Sequence, residues 1–217
     1  MTPDAVAEPP PPDIPGLTAP PPGLAATRMA LHRLAEDVLS PVQAAVNGDI
    51  HFVWTPGGFG TPRFGDGRQL RVEGSEVVEI GGGSEVRREP IAGVDDAAAR
   101  WLGELFGFGY AVLAELVAGA PDASPIRLWP EHFDIATEAG DEARAARATY
   151  GVSPGDAEHT EPYLYVAPWS TPLGPPGLWV AHGFTGAELG VGDLRARADQ
   201  RAAALEFFGE RRAALGD

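Results

Sequence analysis

The sequence predicts an α+β protein: an antiparallel sheet built from two strand-rich halves, packed by a long central helix and a C-terminal helix. Three observations carry that expectation. Short β-branched and aromatic segments cluster at 50–91 and again at 126–182. Between them lies one long segment with a wide apolar face at helical spacing, and a second helical segment closes the chain. Strands that come in runs, separated by a helix instead of alternating with helices, favour antiparallel pairing.

The chain opens with nine prolines in its first 22 residues. Proline fixes φ and removes a backbone donor, so residues 1–22 are expected to form a disordered proline-rich tail, with a single domain over 23–217. From Leu24 the pattern turns helical, with Leu31, Leu34, Ala35, Val38 and Leu39 on one stripe. Ser40-Pro41 is expected to interrupt this helix or restart it with proline at its first position, and Asn47-Gly48 to end it.

Ile50 to Trp54 reads as a strand. The Gly-Gly-Phe-Gly segment (57–60) and the neighbouring prolines read as a turn, with a short edge strand near Phe64. Gln69–Glu73 and Glu76–Ile80 form a hairpin pair around Gly74-Ser75, and one more strand is expected near Val86–Ile91. The clearest helix follows Val94-Asp95-Asp96. Trp101, Leu105, Phe108, Val112 and Leu116 make one stripe; Leu102, Phe106, Leu113 and Val117 make the next. Two adjacent stripes suit a helix laid across a sheet. Gly107 and Gly109 weaken it by about 1 kcal/mol each relative to alanine, a cost that close approach to a strand would offset. The segment from 126 to 169 reads as two strands joined through a Ser153-Pro-Gly-Asp156 turn. A further strand is expected near Leu178–His182, then a loop over 183–192 in which a short strand is the alternative. Asp193 would cap a final helix over Leu194–Leu215, with Leu194, Ala198, Leu205, Phe208 and Leu215 inward. The two halves are expected to share one sheet.

Composition narrows the function. Acidic residues number 31 against 16 basic ones, a net charge of −15, and every basic residue is arginine. A duplex or an anionic membrane surface would repel such a chain, so neither nucleic acid nor membrane is an expected partner. The absence of lysine excludes Schiff-base and Walker-type phosphate chemistry. The absence of cysteine excludes disulfides, thiolate metal sites and a cysteine nucleophile. No secretory leader or bilayer-spanning run is present, so the expected location is cytoplasmic. A homodimer through a sheet edge or the first helix is open.

Chemistry concentrates between 126 and 169. His132 and Asp134, two apart on an expected strand, would face the same way. Together with Asp156 they are the candidate catalytic residues, as a base and its orienting acids. Trp129, Tyr163, Tyr165 and His51 are the candidate ligand-binding residues. In Tyr-Leu-Tyr-Val (163–166) the phenols share one face and the aliphatic groups the other, and periodicity leaves open which face is covered. No cofactor is predicted. A divalent metal on His132, Asp134, His159 and Glu161 is conceivable from two histidine–carboxylate pairs.

Three segments carry a resemblance: Leu-Trp-Pro-Glu-His-Phe-Asp (128–134), Gly-Val-Ser-Pro-Gly-Asp (151–156) and Glu-Pro-Tyr-Leu-Tyr-Val-Ala-Pro-Trp (161–169). In this order they resemble a family of uncharacterised bacterial proteins, and the arginine-only composition is similar to its actinobacterial members. The resemblance implies no activity. Two functions follow from the residues themselves. The first is a small-molecule-binding protein or enzyme with a His/Asp/Tyr-lined cavity; the alternative is a non-catalytic structural or protein-interaction domain.

Overall fold

A computed structural model describes residues 12–172, 175 and 177–216. The chain is α+β, with two five-stranded antiparallel sheets and a long helix against both. The expected single shared sheet is therefore two sheets. They touch at one antiparallel bridge, where Phe52 N donates to Leu128 O at 2.8 Å and Leu128 N to Phe52 O at 2.9 Å.

The helical start runs α1 (Leu24–Arg33), a π-helical turn (Leu34–Leu39) and α2 (Ser40–Asn47) without a break. Leu31, Ala35 and Leu39 are buried on its inner side, while Val38 is exposed. Pro41 sits in the first turn of α2, where its missing N–H is tolerated, and Gly48 ends the helix at φ 71°.

The first sheet contains β1 (Val53–Thr55), β2 (Gly58–Gly60), β3 (Gln69–Glu73), β4 (Glu76–Gly81) and β5 (Ser84–Pro90), in that order. The expected hairpin has the expected register, Gln69 opposite Ile80 and Glu73 opposite Glu76. Gly58-Phe59-Gly60, expected as a turn, is instead a buried strand, because Phe59 anchors it in the core at 1% exposure. Phe64 makes an isolated bridge to Arg68 and no full edge strand.

α3 (Asp96–Leu116) is capped by Asp95, whose side chain accepts from Ala98 N at 2.9 Å. Its two apolar stripes are buried from Trp101 to Leu113. Its glycines are contact points: a Cβ at Gly103 would lie 2.7 Å from Gly57 C of the first sheet, and one at Gly109 would lie 2.9 Å from Ile135 of the second. Close approach to both sheets explains residues that helix propensity alone disfavours.

The second sheet contains β6 (Arg127–Trp129), β7 (Asp134–Ala139), β8 (Ala148–Ser153), β9 (Tyr163–Pro168) and β10 (Ala187–Gly190), ordered β10-β9-β8-β7-β6. The two strands expected over 126–169 are thus four. The strand expected at 178–182 is absent; β10 lies further on, with Glu188 N bonded to Val180 O at 3.0 Å. The closing helix is divided into α4 (Val191–Arg195) and α5 (Gln200–Ala214), and its long part is capped by Asp199, not Asp193. Leu194 and Phe208 are buried as expected. Ala198 lies in the exposed break, and Ala204 and Phe207 take its place inside.

Part of the expected tail is packed. Leu17 is 4% exposed, and its backbone N and O bond to the Gln200 side-chain amide at 2.7 and 3.1 Å. Trp101 Nε1 donates to Thr18 O at 3.1 Å. The packed body therefore begins before residue 23; residues 1–11 lie outside the described residues.

Candidate functional site

The second sheet has one aliphatic face and one polar face. Ile135, Tyr150, Val152, Leu164 and Val166 are each fully buried. They form the face covered by α3 and α5, with the Tyr150 ring 6.0 Å from that of Phe208. The alternate residues Asp134, Ala136 and Glu138 of β7, Thr149 and Ser153 of β8, and Tyr163, Tyr165 and Ala167 of β9 line a cavity of about 690 Å³. The phenol face is therefore the cavity face. The volume falls in the range of small-molecule sites.

His132 and Asp134 do not share a strand. The β6–β7 turn brings Phe133 to φ 51°, a left-handed conformation that strains a residue carrying a Cβ. Burial of its ring offsets that strain. It packs edge-on to Phe59 and Phe106, each at 5.4 Å, and stacks on His32 at 5.3 Å. The turn leaves His132 exposed at the cavity rim and sends Asp134, 4% exposed, into its wall.

Asp134 and Tyr165 meet across an intervening strand. The Tyr165 hydroxyl donates to Asp134 Oδ2, and Gly151 of β8 makes this reach available. Gly151 pairs with Ala136 on one side and Tyr165 on the other. A Cβ at Gly151 would lie 2.5–2.6 Å from three atoms of the Tyr165 ring and hydroxyl. The phenol thus lies flat over the one residue of β8 with no side chain. Asp134 Oδ1 has no hydrogen-bond partner. Burial pushes the Asp134 carboxyl above the usual range, against the partial opposition of the Tyr165 hydrogen bond and the His132 charge. Burial and then the Asp134 charge raise the Tyr165 phenol well above its ordinary value, so it stays a donor. Tyr163 is also raised, chiefly by burial, and its hydroxyl shares a hydrogen bond with Ser153.

Asp156 lines the same cavity, but much of its capacity serves the turn. Its Oδ1 accepts from Glu158 N and His159 N, both at 2.7 Å. Arg28, which the helical pattern gives no reason to single out, holds this turn from α1. Its guanidinium donates to Pro154 O and Thr160 O at 3.1 Å and to Asp156 O at 2.8 Å, and the residue is 5% exposed. Burial lowers its pKa, with Asp156 and Glu161 partly compensating. Gly155 at φ 84° completes the turn; a Cβ there would strike His159 O at 2.5 Å and Arg28 Nη1 at 2.8 Å.

Of the four expected ligand-binding residues, Trp129, Tyr163 and Tyr165 line the cavity. His51 stands outside its lining, paired with Asp49 at 2.9 Å and tilted toward Trp129 at 6.4 Å. The four expected metal ligands do not converge. His132 and Asp134 stay at the cavity, Glu161 is exposed on the turn, and His159 Nε2 lies 3.3 Å from Glu188. Among the described residues, the group that does converge is His159, His182 and Glu188. Phe184 and His32, also absent from the sequence expectation, complete the cavity wall. Of the missed residues only Gly151 left a sequence signal, since an isolated glycine inside a strand pattern marks a bulge or a close approach.

Comparison with protein-family models, curated proteins and solved structures finds no match for this chain.

Proposed function

We propose that the cavity on the polar face of the second sheet is a small-molecule site in which Asp134, oriented by Tyr165, exchanges a proton with the ligand or pairs with it. The observation that carries this reading is a carboxyl group removed from water in the wall of a cavity, with one oxygen held by a phenol and the other unpartnered. A buried polar atom without a partner costs about 1–3 kcal/mol, and a ligand donor or acceptor reaching Oδ1 would recover it. A carboxyl whose pKa is raised by burial is suited to general acid–base work near neutral pH. His132 at the rim is the second proton carrier. Trp129, Tyr163 and Phe184 supply flat walls for an organic ligand.

Charge selects the ligand class. Glu131, Asp134, Glu138 and Asp156 line the cavity against two imidazoles, His32 and His132. Neutral polar or cationic molecules, amines and polyols among them, are favoured over anions.

One feature favours a structural reading instead: the Tyr165–Asp134 bond spans three strands and fixes their relative position. A thermal-shift screen with amines, polyols, amides and carboxylates separates the two. Wild-type protein should be stabilised by members of the first three classes. Asp134→Asn and Tyr165→Phe should stay folded and lose the shift. Gly151→Ala, which displaces the ring while keeping both groups, should weaken it. Absence of any stabilising compound, or full ligand response in Asp134→Asn, overturns the proposal and leaves the structural clamp.

A further inference from the structure

Beside the cavity, and separate from Asp134, lies a cluster that joins the turn after β8 to β10 and the loop just before it. His159 leaves the turn after β8 with its Nε2 3.3 Å from Glu188 Oε2. Glu188 stands on β10 opposite Tyr165. His182 comes from the loop before β10; its Nδ1 bonds to Glu188 Oε1 and its backbone N donates to Oε2 at 3.1 Å. One ligand atom from each residue lies within 4.8 Å of the other two.

We infer that His159 Nε2, His182 Nδ1 and the Glu188 carboxylate form a binding site for a divalent ion of the zinc class. The ion replaces the His182–Glu188 hydrogen bond, and its fourth position is left to water or an added donor. Two imidazoles and a carboxylate are a donor set suited to zinc, and a site with three protein ligands keeps one position open. Zinc–nitrogen and zinc–oxygen bonds of about 2.0–2.2 Å place ligand atoms about 3.3–3.5 Å apart around a tetrahedral centre. The His159–Glu188 pair already stands at that separation.

A second observation supports the assignment. His159 Nε2 is buried and makes no hydrogen bond despite its closeness to the carboxylate, so its lone pair is free for an ion. The site is also half preorganised. His159 and Glu188 side chains are 17% and 18% exposed, and the His159 backbone N is held by Asp156 at 2.7 Å. The His159 ring rests on Tyr163 at 4.9 Å. His182, 81% exposed and already in contact with Glu188, is the solvent-facing ligand. Binding would fasten the loop carrying Phe184 to β10 and to the turn after β8, setting one lip of the cavity. This inference does not depend on what the cavity holds, because its ligands are different residues.

The test uses the full chain without a histidine tag, stripped with chelator and titrated with zinc chloride in a calorimeter. Saturable uptake of one ion per chain is expected, with a raised Tm and, for cobalt(II), visible d–d absorption typical of four-coordination. His182→Ala, at an exposed position that folding does not need, should weaken binding by more than about tenfold, a loss that even outer-shell partners can produce. Glu188→Gln should do the same. The inference is overturned if uptake does not saturate, if both variants bind as wild type does, or if magnesium competes equally, since that would mark surface carboxylates.

Discussion

The two sheets have equal strand number and the same all-antiparallel pattern, yet they treat charge in opposite ways. In the first, charged side chains face solvent and satisfy one another. Arg88 of the fully exposed β5 reaches Glu73, Glu76 and Glu85 at 2.8–3.0 Å, and these hydrogen bonds raise its pKa. Such ladders also blunt an edge strand against pairing with other chains. The second sheet carries fewer charged residues, and its buried one, Asp134, is held by Tyr165 alone; beside it Arg28 of α1, also buried, is held by three carbonyls of the turn after β8. Exposed pairs contribute little to stability, whereas buried groups with few partners are sensitive to any change. The proposed site therefore lies on the sheet whose buried charge has few partners, while the first sheet packs against α3 and carries Phe59 into the core.

Arg28→Met offers the hardest test of this contrast. It removes a buried cation and orphans the carbonyls of Pro154, Asp156 and Thr160. A loss of about 3 kcal/mol is expected from guanidinium denaturation. A loss under about 1 kcal/mol would mean that the turn holds itself, as exposed groups do in the first sheet.

Asp134→Asn should have a smaller effect with a distinctive pH dependence. Burial raises the folded-state pKa of Asp134 above its unfolded value. The native state therefore binds the extra proton, and this contribution to stability is complete below the unfolded pKa of about 3.9. It is lost as pH rises through the folded value. Across urea denaturation from about pH 4 to about pH 8, the stability difference should move in favour of the asparagine variant. The change should be about 1.4 kcal/mol per unit of upward shift. A difference that does not vary with pH would make Asp134 an ordinary carboxylate and erase the contrast.

Arg88→Ala should have the smallest effect. Despite its three carboxylate partners, its Tm should be indistinguishable from that of wild type in physiological salt, with a small decrease visible only at low ionic strength. A large loss in a thermal melt would show that the first sheet depends on its charges after all.

Much of this fold was legible before the coordinates. Alternation placed β3 and β4 to within a residue, and the two apolar stripes placed α3 after Val94-Asp95-Asp96. The site was legible in part: Trp129, His132, Asp134, Asp156, Tyr163 and Tyr165 do line one cavity. Their roles were not legible. Strand periodicity predicted a His132–Asp134 pair, but the Phe133 ring takes the buried place and turns the chain between them. Gly58–Gly60 looked like a turn because glycine disfavours strands locally. It pairs as β2 because Phe59 is buried in the core and because the β3 backbone approaches so closely that a Cβ at Gly58 or Gly60 would lie 2.1 Å from Val72 O or 2.4 Å from Leu70 O.

By itself, then, the sequence determined the class, the central helix, the hairpin and the stretch in which polar and aromatic groups collect, because local propensity and spacing depend on neighbours along the chain. Only the tertiary structure decided that the phenols face a cavity, that Tyr165 crosses Gly151 to reach Asp134, and that Arg28 fixes the turn from α1. It also brought together His159, His182 and Glu188. The Tyr165–Asp134 and Arg28 contacts join residues far apart in sequence, and their energy depends on burial that no local pattern encodes.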